Sequence, residues 1–156
     1  MTLARRLGTV YGEYGALLAL GNSYHIARLN QQAADSFQAA LVLARSSGSP
    51  VWEYECAAWL AHLHLIMKNF DQAEDYAEQV MALAVESNNS QWKIHALNRL
   101  GSVYNWKKQP NKAMEYWRKA QALQQELGMD HGLRYQFTRF NLAIYPFLSR
   151  FGRKKR

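Results

Sequence analysis

The sequence has little cysteine, little proline and no long apolar run. Its 156 residues include one cysteine, Cys56, and three prolines. A single cysteine excludes an internal disulfide and a thiol pair for a metal site, so we expect a reducing, cytoplasmic location. The absence of about 18 consecutive apolar residues excludes a membrane-spanning helix, and the N-terminus lacks the apolar core of a signal peptide. Few prolines and abundant Ala, Leu and Gln favour an all-α fold.

The positive charge is concentrated at the C-terminus. Five of the charges in the formal net charge of +7 come from residues 150–156, which we call the basic tail: Arg150, Arg153, Lys154, Lys155 and Arg156. Only +2 remains for the rest of the chain. Tyr145, Phe147, Leu148 and Phe151 lie among or next to these cations, a composition that suits binding to an anionic membrane surface or to nucleic acid. A solubilising tail is the simpler interpretation, and we favour it.

The chain repeats itself at a shift of 40 residues. On a first helix the shift aligns Leu20, Leu60 and Leu100, then Gly21, Ala61 and Gly101, then Tyr24, His64 and Tyr104. On a second helix it aligns Ala33, Ala73 and Ala113, then Phe37, Ala77 and Trp117, then Ala40, Val80 and Ala120, then Leu43, Leu83 and Leu123. Small residues let two antiparallel helices approach closely, and large ones fill the space beside them. The repeating unit is therefore predicted to be a helical hairpin.

Loop signals recur at the same period and set the predicted boundaries. Ser47–Pro50, Ser87–Ser90 and Leu127–Asp130 each supply a stop for one helix and a cap for the next. Tight turns are expected at Leu29-Asn30, Asn69-Phe70 and Gln109-Pro110. We predict helices over residues 10–28, 31–46, 51–67, 71–87, 91–107, 111–127 and 131–149.

These helices form one predicted domain, residues 1–149. It contains repeats at 10–48, 49–88 and 89–128, followed by a capping helix within 129–149 that covers the end of the array. Residues 1–9 match the end of a second helix, because Leu3 and Gly8 align with Leu43 and Gly48. We therefore interpret them as the end of a preceding helix. A longer repeat protein and a chance match of these few residues are equally good explanations of the alignment.

The pattern Leu-Gly-x-x-Tyr, followed after eight residues by Ala-x-x-x-Phe-x-x-Ala, resembles the tetratricopeptide repeat (TPR) family. Residues 14–45 and 94–125 match well, whereas 54–85 match mainly through spacing. The usual TPR period is about 34 residues, so the longer period implies helices extended by about a turn. The resemblance implies a right-handed α-solenoid of antiparallel hairpins, a scaffold for protein–protein interaction with no enzymatic activity and no cofactor.

In the TPR family the first helix of each repeat lines a concave groove. The stripe opposite the hairpin contact, with its margins, supplies the predicted groove residues: Asn22, His25, Ile26, Trp59, His62, Ile66, Arg99, Ser102, Asn105 and Trp106, with Arg139 on the last helix. Aromatic rings give contact area, Asn and His satisfy an extended backbone, and Arg takes a carboxylate. The expected partner is a peptide or helix of another protein, with an acidic one as an option.

Each of these residues also has a structural interpretation. Trp59 and Trp106 are more often packing residues between repeats than anchors for a ligand. Asn22 and Asn105 are equally well explained as solvated polar side chains. Arg99 is the favoured ligand contact, although a salt bridge to Glu55 or Glu115 competes with that role.

One TPR subgroup clamps the acidic C-terminus of a peptide between two carboxylate-binding sites. Its five polar positions fall here on Leu18, Asn22, Trp59, His95 and Arg99. Only Asn22 and Arg99 keep the expected residue type. We therefore reject this specificity.

Catalysis has little support in the sequence. His62 and His64 are two residues apart on a helix and point to different faces, so they cannot chelate a metal ion together. Cys56 is interpreted as a packing residue. As the resemblance implies, a regulatory or sensor domain of a larger signalling protein is an alternative function, and self-association through exposed Leu3 and Leu7 is a further option.

Overall fold

The structure is a computed structural model that describes residues 3–129, with side chains from Gly8 onward. Within this range the chain forms six helices: α1 (Leu3–Ile26), α2 (Asn30–Ser47), α3 (Pro50–Ile66), α4 (Phe70–Glu86), α5 (Ser90–Trp106) and α6 (Pro110–Glu126). Helix α1 packs against α2, α2 against α3, and α5 against α6. The predicted all-α fold of repeating helical hairpins is confirmed. The predicted capping helix, Arg139, the basic tail and the side chains of Leu3 and Leu7 lie outside the described residues.

The helices belong to two compact units, Met1–Leu83 and Ala84–Arg156. The first unit contains α1, α2, α3 and most of α4. The second unit contains the end of α4, then α5 and α6. The division therefore falls inside a helix rather than in a loop.

Each of the six described helices ends in the same backbone motif. The residue that follows the last turn has a positive φ, between 48° and 67°, and it recurs every 20 residues: Arg28, Gly48, Lys68, Asn88, Lys108 and Gly128. The next amide donates to a carbonyl five residues back, as in Leu29 N to Tyr24 O (2.9 Å) and Asn69 N to His64 O (2.8 Å). This pairing is the Schellman motif, which satisfies carbonyls that the helix end leaves unpaired. The sequence period of 40 residues therefore consists of two half-repeats, each of one helix and one turn.

Side-chain caps begin the helices that follow the loops between hairpins. The Ser49 hydroxyl accepts a hydrogen bond from Trp52 N, and the Asn89 side-chain oxygen accepts one from Trp92 N (3.1 Å). Pro50 directly after Ser49 suits the first helical position, where no amide hydrogen is needed. A polar cap at each of these two helix starts, which the loop composition predicted, is therefore present.

The predicted boundary near residue 10 is wrong. Helix α1 runs without interruption from Leu3 to Ile26, so residues 3–9 belong to the same helix as repeat 1. Gly8 was aligned with Gly48, but Gly8 does not have the positive φ that ends the other helices. A glycine inside a helix costs only about 1 kcal/mol relative to alanine and does not end it by itself.

The aligned sequence columns form the core of the hairpins. The first aligned column on the second helices is fully buried: Ala33, Ala73 and Ala113. The large side chains of Phe37 and Trp117 are fully buried as well. A Cβ atom added to Gly21 would lie 2.8 Å from the Phe37 ring, and one added to Gly101 would lie 2.8 Å from Cε2 of Trp117. The small residue and the large ring are thus complementary across each of these two hairpins.

One residue of the predicted core is an exception. Leu20 is 43% exposed, whereas its repeat equivalents Leu60 and Leu100 are buried. In the part of the chain that the structure describes, no helix precedes α1 to cover the side on which Leu20 lies. The sequence also missed a buried column one position beyond Leu43, which consists of Ala44, Ala84 and Gln124.

Candidate partner-binding surfaces

Three rings from the predicted groove meet on the first unit, between α1 and α3. The His25 ring lies 5.3 Å from the Trp59 ring and 5.4 Å from the His62 ring, both in edge-to-face geometry. Trp59 and His62 are 6.0 Å apart. We call these three residues the imidazole–indole cluster. All three are half-buried, as is Asn22, which lies one helical turn before His25.

Trp59 has a packing role as well as a place in this cluster. Its indole stacks almost parallel on the buried Phe37 ring, with centroids 5.2 Å apart and planes 9° apart. The structural interpretation of Trp59 therefore has direct support. Because the ring is supported by Phe37, its orientation is fixed before any ligand binds.

The two histidines of α3 lie on different faces, as the sequence predicted. His62 belongs to the imidazole–indole cluster, whereas His64 is buried and stacks on Tyr76 with centroids 5.5 Å apart. The Tyr76 hydroxyl donates to the Gln38 side-chain oxygen (2.6 Å). Burial lowers the pKa of the His64 imidazole below its ordinary value, so His64 is a neutral core residue.

Two isoleucines of the predicted groove are solvent-exposed at the ends of α1 and α3. Ile26 is 81% exposed and Ile66 is 43% exposed. They follow the imidazole–indole cluster along their helices. The first unit therefore presents a polar and aromatic surface with exposed aliphatic side chains at one edge.

The second unit carries the remaining described groove residues on α5. Arg99, Ser102 and Asn105 are half-buried, and Trp106 is 55% exposed. The Ser102 hydroxyl donates to the Asn98 carbonyl one turn earlier (3.0 Å), which leaves its oxygen able to accept a hydrogen bond.

The two carboxylates considered as partners for Arg99 each have another contact. Glu115 forms an exposed ion pair with Lys119 one turn along α6 (2.5 Å). In the first unit, Glu55 accepts a hydrogen bond from the Tyr14 hydroxyl (3.0 Å).

Sequence reasoning missed a buried polar contact around Tyr14. The Tyr14 ring stacks on Trp52 with centroids 4.2 Å apart, and the Cys56 thiol donates to the Tyr14 oxygen (3.9 Å). Burial raises the pKa of the Tyr14 hydroxyl and also raises the pKa of Cys56 to about 11. Cys56 is therefore a protonated thiol inside the core, in agreement with the packing role predicted for it. Nothing in the repeat spacing indicated that Tyr14 and Cys56, which lie on α1 and α3, would meet.

Residues 3–129 contain neither a cluster of metal ligands nor a helix suited to crossing a membrane. Within them, no three His, Cys, Asp or Glu side chains lie close enough together to hold a metal ion. None of the described helices combines the length and apolar character that a bilayer crossing requires.

Comparison with known proteins relates the chain to a solved structure. No protein-family model matches it, and no curated protein matches it. Its fold is similar to that in the crystal structure of BtubC (BKLC) from P. vanneervenii, with a TM-score of 0.62 and 17% sequence identity. The match covers 96% of this chain and 67% of BtubC. At this level of identity the similarity shows the fold alone.

Proposed function

We propose that this chain is a non-enzymatic interaction module of TPR type, which binds a peptide or helix of a partner protein through the exposed face of its first helices. The observation that carries the proposal is the surface formed in the first unit by Asn22 and the imidazole–indole cluster. Its four side chains are half-buried, and its rings contact one another at 5.3–6.0 Å. Clustered indole and imidazole groups at a surface are typical of binding sites rather than of solvated faces.

The chemistry of this surface suits a polypeptide. An extended or frayed backbone offers amide hydrogens and carbonyl oxygens, and the Asn22 amide can both donate and accept hydrogen bonds. Trp59 supplies a rigid apolar contact, because Phe37 holds its ring in place. A ligand that meets a preorganised aromatic ring loses little conformational entropy in fixing it, which favours affinity.

The second unit adds a cationic element to the proposal. Arg99 lies on the same stripe of α5 as Ser102 and Trp106. A guanidinium can bind a carboxylate through two parallel hydrogen bonds, and a neighbouring indole can pack against the aliphatic part of the ligand. This surface suits an acidic segment of the partner.

The test is site-specific photo-crosslinking in extracts of the native host, followed by affinity measurement with the identified partner. A photo-reactive residue at position 62 or 102 should crosslink one protein, whereas the same group at Arg118, an exposed residue of α6, should not. The variants His25→Ala/His62→Ala and Arg99→Ala should then weaken binding of the purified partner at least tenfold. Arg118→Ala serves as the matched control and should bind like the wild type. Equal crosslinking from all three positions, or equal affinity of all variants, would refute the proposal.

A further inference from the structure

Turns within hairpins and turns between hairpins differ in the residue that occupies the left-handed position. Between hairpins this position holds Gly48, Asn88 and Gly128. Within hairpins it holds Arg28, Lys68 and Lys108, with φ of 60°, 64° and 57°. All three cations are exposed. We call these three sites the basic turns.

The left-handed conformation makes this choice of residue informative. A side chain with a Cβ atom is strained at positive φ, whereas glycine is not, and glycine or asparagine is the usual residue at such a helix end. A cation near a helix C-terminus interacts favourably with the helix dipole, but this gain is smaller than the cost of placing a side chain with a Cβ atom at positive φ. The long cationic side chains carry a stability cost that a binding role would explain.

Each basic turn is preceded by an exposed apolar side chain. Two residues before each cation stands Ile26 (81% exposed), Ile66 (43%) or Trp106 (55%). Leu29, directly after Arg28, is also 43% exposed. Every turn therefore combines one cation with at least one large apolar group at the end of a helix.

The charge around the basic turns is mainly of one sign. Lys107 and Lys112 add to the third turn, whereas Asp71 is the one acid within four residues of any of the three cations in the described sequence. In the first unit, the turns after α1 and α3 are neighbours, since His25 and His62 near the ends of these helices are 5.4 Å apart. Arg28 and Lys68 follow His25 and His62 by three and six residues, so they stand at the ends of two adjacent helices.

We propose that the basic turns, together with exposed Ile26, Ile66 and Trp106 at the edge of the predicted groove, bind the surface of an anionic lipid membrane. Cations on short loops can contact anionic headgroups, while adjacent aliphatic and indole side chains enter the interfacial layer. In the first unit, exposed Ile26 and Ile66 are at the ends of two adjacent helices, where a planar surface can reach both. A symmetric dimer through these turns is disfavoured, because it would place cations against cations.

The experiment is vesicle co-sedimentation of the full chain, with its basic tail retained. Vesicles of phosphatidylcholine alone are compared with vesicles that contain phosphatidylserine as well. The test variant is Arg28→Gly/Lys68→Gly/Lys108→Gly, because glycine relieves the backbone at each position and the fold should melt no lower than the wild type. Each cation near an anionic surface contributes roughly a fivefold factor in partitioning, so the loss of Arg28 and Lys68 from the first unit is by itself expected to weaken binding of the triple variant to phosphatidylserine vesicles by well over tenfold.

The matched control removes the same charge elsewhere, in Arg45→Gln/Lys93→Gln/Arg118→Gln, whose native residues are exposed and away from the basic turns. It should lose far less binding than the glycine variant. Equal loss in the two triple variants, or no binding by the wild type, would overturn the proposal. Ile26→Ser separates the classes of ligand: it should weaken binding to vesicles but not to polyglutamate or RNA. The proposal would also be overturned if the wild type bound polyglutamate or RNA more tightly than vesicles and if Ile26→Ser left vesicle binding unchanged.

Discussion

Gly21 and Gly101 show how a single missing atom determines the packing of a hairpin. Each lies against a buried ring, and an added Cβ would come within 2.8 Å of that ring in both cases. Real Cβ contacts are longer than this, so a methyl group at either position must displace Phe37 or Trp117 from a filled core. The same substitution elsewhere on α1 has no such consequence, because an added Cβ at Gly15 meets nothing within 4 Å.

We therefore predict opposite effects of glycine-to-alanine substitution at these positions. Gly21→Ala and Gly101→Ala should each lower the free energy of unfolding by about 1–3 kcal/mol through overpacking. Gly15→Ala should raise it by about 0.5–1 kcal/mol, because alanine is the better helix former. Urea denaturation followed by circular dichroism measures all three. A stabilising Gly101→Ala would contradict the packing described for α5 and α6.

His64 makes the stability of the first unit depend on pH. Burial lowers the pKa of this imidazole, so the folded chain holds it neutral while the unfolded chain protonates it below about pH 6.5. As the pH falls through that value the unfolded state binds the additional proton, and stability is lost towards acid. Above the unfolded pKa the effect is absent.

The prediction is tested with His64→Tyr, which installs the residue found at the equivalent positions Tyr24 and Tyr104. Between pH 7.5 and 5.5 the wild type should lose more stability than this variant, by up to roughly 1.4 kcal/mol per pH unit below the unfolded pKa. Thermal melts across the pH range measure the difference, and the other histidines contribute equally to both proteins. Parallel pH profiles for the two proteins would show that His64 is not the responsible group.

At the scale of helices and turns, the Schellman motifs give all six described helices the same end, and they strain the backbone where the left-handed residue is not glycine or asparagine. The six ends share one hydrogen-bond pattern, so the residue type at the left-handed position can vary without changing the turn. Glycine and asparagine tolerate positive φ, whereas lysine and arginine do so at a cost. The turns within hairpins are therefore strained relative to those between hairpins.

Lys68→Gly should consequently stabilise the protein. Glycine removes the backbone strain of a lysine at positive φ, which stabilises the folded state. It also makes the unfolded chain more flexible, which is a smaller and opposite effect, so the free energy of unfolding should rise by about 0.5–1 kcal/mol. Asn88→Gly is the comparison, and it should change stability less. Denaturant midpoints of the two variants give the answer. A destabilised Lys68→Gly would mean that the lysine side chain contributes more to the fold than its backbone strain costs.

The contacts within the helices and hairpins explain which features of the fold could be predicted from the sequence. Repeat columns such as Gly21, Ala61 and Gly101 are visible because close helix packing demands small residues at fixed intervals. The continuous α1 was missed because Gly8 resembles Gly48 in the sequence, and only the backbone angle distinguishes a helical glycine from a terminating one. The exposure of Leu20 depends on which helices surround α1, which its repeat equivalents do not reveal.

The candidate site shows the same limit. The repeat register placed His25, Trp59 and His62 on one stripe of the first helices, and the TPR resemblance implied that this stripe lines a groove. It did not show that their rings touch, nor that Phe37 supports Trp59, because those contacts depend on how α1, α2 and α3 cross. The cations of the basic turns were missed because residue type alone predicts glycine, not lysine, for a left-handed helix end.

At the scale of the whole molecule, the division into two units raises the question of whether each hairpin contributes independently to the free energy of unfolding. The Gly21–Phe37 contact lies within the first unit and the Gly101–Trp117 contact within the second. In repeat proteins each hairpin interacts with its nearest neighbours, and total stability is close to a sum of repeat and interface contributions. Perturbations in the first and third hairpins should then be energetically independent.

The double variant Gly21→Ala/Gly101→Ala tests this independence. Because the two sites are not in adjacent hairpins, its loss of unfolding free energy should equal the sum of the single losses to within about 0.5 kcal/mol. Equilibrium urea denaturation of the wild type, both single variants and the double variant completes the cycle, provided that all four proteins share one denaturant slope. A coupling energy above about 1 kcal/mol would contradict nearest-neighbour behaviour. It would mean that the middle hairpin, whose Ala61 and Ala77 replace the Gly-and-ring pair of its neighbours, transmits strain along the array.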